Sequence, residues 1–97
     1  AAVAVLLAAL FVPAGCGYPE VSRSAYDMAE ALENMADLQR PEQIPRAREL
    51  IAAKFDRGEI TAEERDLLSD IVDRAEAGEW EEARRDAVAL MRAQGKE

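Results

Sequence analysis

This chain is predicted to be all-α: a small antiparallel up-and-down bundle of three to four helices, preceded by an N-terminal hydrophobic signal segment. Three observations carry that prediction. From Ser24 onward Ala, Glu, Arg and Leu dominate while β-branched residues are sparse, a composition that favours helix over strand. Apolar residues recur at three- and four-residue steps rather than alternating. Pro41, Pro45, Gly58 and Gly78 punctuate the pattern and divide it into helix-length segments.

The hydrophobic segment comes first. Ala1 to Val12 is an unbroken apolar run, Pro13-Ala14-Gly15-Cys16 follows, and no charged residue precedes Glu20. Such a run, as helix, rises roughly 18 Å against a hydrocarbon core of about 30 Å. It is too short to span comfortably and suits the apolar region of an export signal. Cys16 is the single cysteine of the 97 residues, so the folded part must be stable without an intrachain disulfide.

The junction Ala14-Gly15-Cys16 resembles the end of a bacterial lipoprotein export signal. In that family small residues before the cysteine admit the peptidase, and the cysteine sulfur carries a diacylglyceryl group. Pro13 stands where the family usually has Leu or a similar residue. The resemblance implies a lipoprotein-type signal segment over 1–15, an acylated cysteine and tether over 16–23, and a helical bundle over 24–97. It further implies membrane attachment through lipid (palmitate or a similar acyl chain) on Cys16, in a bacterial envelope, facing the periplasm or exterior. Asp after the cysteine favours inner-membrane retention in that family; Gly17 stands there. A positively charged start and an initiator Met are missing, so the sequence is expected to be a fragment trimmed at its start.

Gly17 to Arg23 is expected to be a tether reaching at most roughly 25 Å. The first helix is predicted from about Ala25 to Leu38, with Ser24 as its cap and Asp27 in its first turn. Ala25, Met28, Leu32 and Met35 form its apolar stripe. Arg40-Pro41 and Ile44-Pro45 interrupt it, because a residue before proline is pushed out of helical dihedrals. Pro45 suits the first turn of a second helix to about Arg57, with Ala47, Leu50, Ile51 and Phe55 on one face and Gly58 as its stop. Thr61 and Glu64 spell a capping box, in which each side chain meets the other's backbone amide.

The third helix, about Ala62 to Ala77, buries Leu67, Leu68, Ile71, Val72 and Ala75, and Gly78 ends it. Trp80 starts or immediately precedes the fourth, which runs to about Gln94 with Ala83, Ala87, Leu90 and Met91 inward and Gly95 as the stop. Links of a few residues after the second and third helices force antiparallel neighbours.

From Leu50 onward, the elements Leu50-Ile51, Phe55, Gly58-x-Ile60-Thr61, Leu68, Ile71-Val72, Trp80-x-x-Ala83 and Leu90-Met91 resemble the helical domain of the steroid receptor RNA activator protein. They are similar also to the related domain at the C-terminus of the COPII outer-coat scaffold. The resemblance implies an all-helical module used in protein–protein assembly, without enzymatic activity. A weaker likeness joins Leu50 to Leu68 with the short helical hairpins at the ends of many bacterial proteins.

Composition excludes several functions. Twenty acidic residues against twelve basic give a net charge of −8, which repels phosphate backbones. Arg46, Arg48, Arg84 and Arg85 are each flanked by carboxylates, so no basic face for nucleic acid is expected. Without a histidine, Cys16 lacks a general base, and Ser22, Ser24 and Ser69 stand in no nucleophile motif. Glu63, Glu64, Asp70, Asp73, Glu81, Glu82 and Asp86 are expected to form a solvated face; no metal, cofactor or small-molecule substrate is predicted. Glu81 with Arg85 forms a favourable four-residue pair on that face. Trp80, Phe55, Leu68, Ile71 and Leu90 are the structural anchors, with an interface as the other use for such residues. The expected function is therefore a lipid-anchored envelope lipoprotein carrying a small helical protein–protein interaction module with a protein partner. A self-associating structural envelope protein and a cation-binding periplasmic protein are the alternatives.

Overall fold

The computed structural model describes residues 21–95. Four α-helices follow one another: α1 (Arg23–Leu38), α2 (Ile44–Asp56), α3 (Ala62–Glu76) and α4 (Trp80–Gly95), with a 3₁₀ turn (Pro41–Gln43) leading into α2. No strand occurs among the described residues, and no helix among them is long and apolar enough to cross a membrane. Cys16 and the hydrophobic segment before it lie outside the described residues.

The bundle starts earlier than the predicted tether allows. Val21, only 4% exposed, is part of the core, and Ser22 rather than Ser24 caps α1, accepting the Ala25 amide at 3.2 Å. The helix thus opens at Arg23, and Asp27 falls beyond its first turn. A hydrophobic residue just before the cap is the usual staple position, and here it seats in the core. Ile44 also departs from expectation: it is helical (φ −61°, ψ −48°) although Pro45 follows. Its amide bonds the Pro41 carbonyl and its side chain is buried, which together outweigh the pre-proline preference.

The first three helices end in the same way. Gln39, Gly58 and Gly78 take positive φ values of 51°, 74° and 84°. The amide of the next residue then reaches back to the last turn: Arg40 to Met35, Glu59 to Lys54 and Glu79 to Arg74, at 2.9–3.1 Å. This is the Schellman closure, which supplies partners to carbonyls that the helix leaves free. The corners after α2 and α3 repeat further: Lys54 and Arg74 also pair with the Glu59 and Glu79 carboxylates, at 3.9 and 3.7 Å. Ile60 and Trp80 occupy equivalent places after them, turning the chain back onto the core.

Short corners make α2–α3 and α3–α4 antiparallel hairpins, and α1 closes the bundle by packing most extensively on α4. Buried alanines on both sides, Ala25, Ala29 and Ala36 on α1 with Ala83 and Ala87 on α4, leave room for the backbones to approach. Arg84 near the start of α4 feels Asp37 and Glu33 from the end of α1, so these two helices also run oppositely. Met28, Leu32, Met35, Ile51, Leu68, Ile71, Val72 and Leu90 fill the interior.

One charged side chain among the described residues is buried. Glu64, 6% exposed, completes its capping box: the Thr61 hydroxyl accepts the Glu64 amide at 3.0 Å, and Glu64 Oε1 accepts the Thr61 amide at 2.9 Å. The same carboxylate accepts the Ser22 amide at 2.7 Å and the Ser22 hydroxyl at 3.1 Å. Glu64 therefore leaves the solvated face on which the sequence placed it, because α1 begins directly above the α3 cap.

Two stability predictions follow from these ends. In urea denaturation, Glu64→Ala strands the Ser22 and Thr61 donors and should cost about 2–4 kcal/mol, with Glu64→Gln costing less because one oxygen remains to accept. Gln39→Gly should stabilise and Gly78→Ala destabilise by about 1 kcal/mol each, since only glycine enters the left-handed region freely. A Cβ at Gly78 meets nothing within 4 Å, so that cost is one of backbone conformation alone.

Candidate functional site

The anchors proposed from sequence divide into two groups. Leu68, Ile71 and Leu90 are at most 2% exposed and lie in the centre of the core. Trp80 and Phe55 are partly buried, packed against that core from its edge. Trp80 opens α4 at the corner after Gly78, as expected, but keeps part of its ring in solvent. Phe55 is roofed by Arg65, whose guanidinium carbon sits 4.4 Å from the ring centroid, so the exposed face of the ring holds a cation. The helix caps Thr61, Glu64, Gly58 and Gly78 occupy helix ends, where they shape corners and carry no reactive geometry.

The acidic face is laced with guanidinium groups. Arg48 of α2 bonds Asp73 at 2.9 Å and Glu76 at 2.6 Å on α3. These carboxylates hold Arg48 above its ordinary range, Asp73 first. Arg74 gathers Glu79, Glu82 and Asp86 at 3.7, 3.5 and 2.8 Å across the last corner. Arg84, and the expected four-residue partner Arg85, both reach Glu81, and Arg84 is the first cause of that carboxyl lying below its usual range. Exposed pairs of this kind contribute about 0–1 kcal/mol each, and they leave the carboxylates turned to protein cations. Among the described residues no three metal-ligating side chains converge.

A different feature was not legible in the sequence. Between α1 and α2 a groove of about 250 Å³ remains, floored by Met28, Leu32 and Met35 and walled by Ala47 and Leu50. Its polar edge is Gln43 and Arg46. The 3₁₀ turn leads directly into α2, and α1 leans on α4 instead of on α2. A stripe pattern gives the apolar faces of two helices but not how fully they close.

Comparison with known proteins adds no relative: no family model matches the chain, and neither a curated protein nor a solved structure matches it.

Partial burial of Trp80 sets the expected cost of removing it. Trp80→Ala should lower stability by about 2–3 kcal/mol in a thermal or chemical melt, below the ~3–5 kcal/mol of a fully buried aromatic ring. An unchanged midpoint would show that the ring contributes nothing to the core.

Proposed function

We propose that this chain is a lipid-anchored envelope lipoprotein whose helical bundle serves as a protein–protein interaction module. The observation that carries the reading is the junction Ala14-Gly15-Cys16 at the end of an uncharged apolar run, followed by a polar, helix-rich chain. The bundle supports it by its chemistry: Asp73, Glu76, Glu81, Glu82 and Asp86 are engaged by arginines, the caps shape corners, and the large apolar residues pack. The resemblance of the last three helices to an assembly domain points the same way.

Seating Val21 in the core also limits the tether. Four residues separate Cys16 from Val21, a reach of roughly 14–18 Å. On this reading the end of the bundle holding Ser22, Glu59 and Glu64 stays beside the bilayer, and the opposite end faces outward. Attachment strength comes from the acyl chains, at about 0.8 kcal/mol per buried methylene, with more than one chain needed for a stable anchor.

Metabolic labelling with a fatty acid, followed by membrane fractionation, tests the anchor. The native chain should take up label and sediment with membranes, and Cys16→Ser should do neither. A Cys16→Ser chain that remains in the membrane fraction would disprove lipid anchoring at this cysteine.

A further inference from the structure

The groove between α1 and α2 is a trough with one closed end and one charged mouth. One turn before Met28 on α1, the Ser24 hydroxyl accepts the Lys54 ammonium at 2.7 Å, and Lys54 stands one turn after Leu50 on α2. That bridge joins the two helices and closes the groove toward the start of α1. Lys54 is further engaged by Glu59 at 3.9 Å. From Met28 to Met35 the apolar floor runs for roughly 10 Å.

At the other end stand Gln43 and Arg46, and Arg46 is the one charged residue lining the groove. Its side chain is exposed and forms no ion pair among the described residues, in contrast to Arg48 on the same helix, which holds Asp73 and Glu76. The guanidinium donors are thus left for a group from outside, with the Gln43 amide beside them. Asp27 and Glu30 line a separate shallow hollow of α1 and not this groove.

Apolar walls select a hydrocarbon, and a lone arginine at the mouth selects an anion. The volume of about 250 Å³ lies under the roughly 300–1,000 Å³ of pockets that enclose a drug-sized ligand, so it takes one slender chain and not a two-chain lipid. A net charge of −8 opposes polyanions, which favours an occupant with a single negative charge.

We propose that the α1–α2 groove binds a single-chain fatty acid of medium length. The tail lies along Met28, Leu32 and Met35 toward the Lys54–Ser24 bridge, and Arg46 holds the carboxylate at the mouth. Arginine and carboxylate form a strong two-pronged contact, and unbranched methionine adapts to a flexible chain. The mouth lies at the end of the groove away from Val21, so the site goes beyond the interaction-module reading and stands whether or not Cys16 is acylated.

The test uses the full chain in phosphatidylcholine vesicles at about pH 8, where a carboxylic acid is ionised. Decanoic acid carrying a diazirine at its tail end is photo-crosslinked, and mass spectrometry maps the labelled residues. Label should fall on Met28, Leu32 and Leu50. Unlabelled decanoate should compete at about tenfold lower concentration than decanol or decyltrimethylammonium. Arg46→Gln should remove that preference, and Arg46→Glu should pass it to the cation. Ala31→Trp, which covers the lip from an exposed position, should cut labelling about tenfold. Circular dichroism of each variant establishes that the bundle is intact.

Label scattered over the exposed surface, or labelling indifferent to Arg46→Glu, would overturn the proposal. Equal competition by acid, alcohol and cation would do so too, leaving a groove that takes any apolar group, as a protein partner's side chain would supply. A rise in labelling in Cys16→Ser would instead give the groove to the chain's own lipid, and a dimer abolished by Ala31→Trp would give it to a second copy. Metabolic labelling at Cys16 is read separately, so failure of this site and failure of the anchor are told apart.

Discussion

The Glu64 carboxylate ties together the starts of two helices that are distant in the chain, and the arrangement of the bundle depends on that tie. Its two oxygens accept the Thr61 amide, the Ser22 amide and the Ser22 hydroxyl. Each donor belongs to a helix start, where amides have no intrahelical partner. A buried carboxylate is costly unless its oxygens are filled, and here three donors fill them. The tie places the beginning of α1 over the beginning of α3. With α1 held there, its apolar stripe faces α4 and the cleft toward α2 stays open.

The corners carry the rest of the topology. Schellman closures at Gly58 and Gly78 turn the chain within a few residues and deliver Ile60 and Trp80 back to the core. Lys54 with Glu59, and Arg74 with Glu79, add a charge pair across each corner. The first corner is built differently. Gln39 takes the left-handed position with a side chain present, Pro41 opens a 3₁₀ turn, and Pro45 sits in the first turn of α2. This link, residues 39–43, is as long as the one after α2, residues 57–61, so the groove follows from α1 packing on α4 and not from link length.

Charge is distributed unevenly over this frame. Asp73 and Glu76 on α3 and Glu81, Glu82 and Asp86 on α4 meet Arg48, Arg74, Arg84 and Arg85, whereas along α1 Asp27 and Glu30 are exposed. Under the proposed anchoring, the lipid would hold the end of the bundle near Ser22 at the bilayer, leaving the α1–α2 side accessible along its length.

What the sequence determined by itself was local. Four helical segments, the Thr61–Glu64 box and the glycine stops at Gly58 and Gly78 could all be read within a turn or two of the residues concerned, because caps and terminators act on neighbouring backbone groups. Tertiary structure decided everything that joins distant residues. It gave Glu64 its second partner, moved the start of α1 from Ser24 back to Ser22, and chose α4 over α2 as the main neighbour of α1. It also left Trp80 partly exposed and the Met28–Leu50 cleft unfilled. An apolar stripe states that a face will be covered; which face covers it depends on side-chain volumes and hydrogen-bond partners that meet only once the chain has folded.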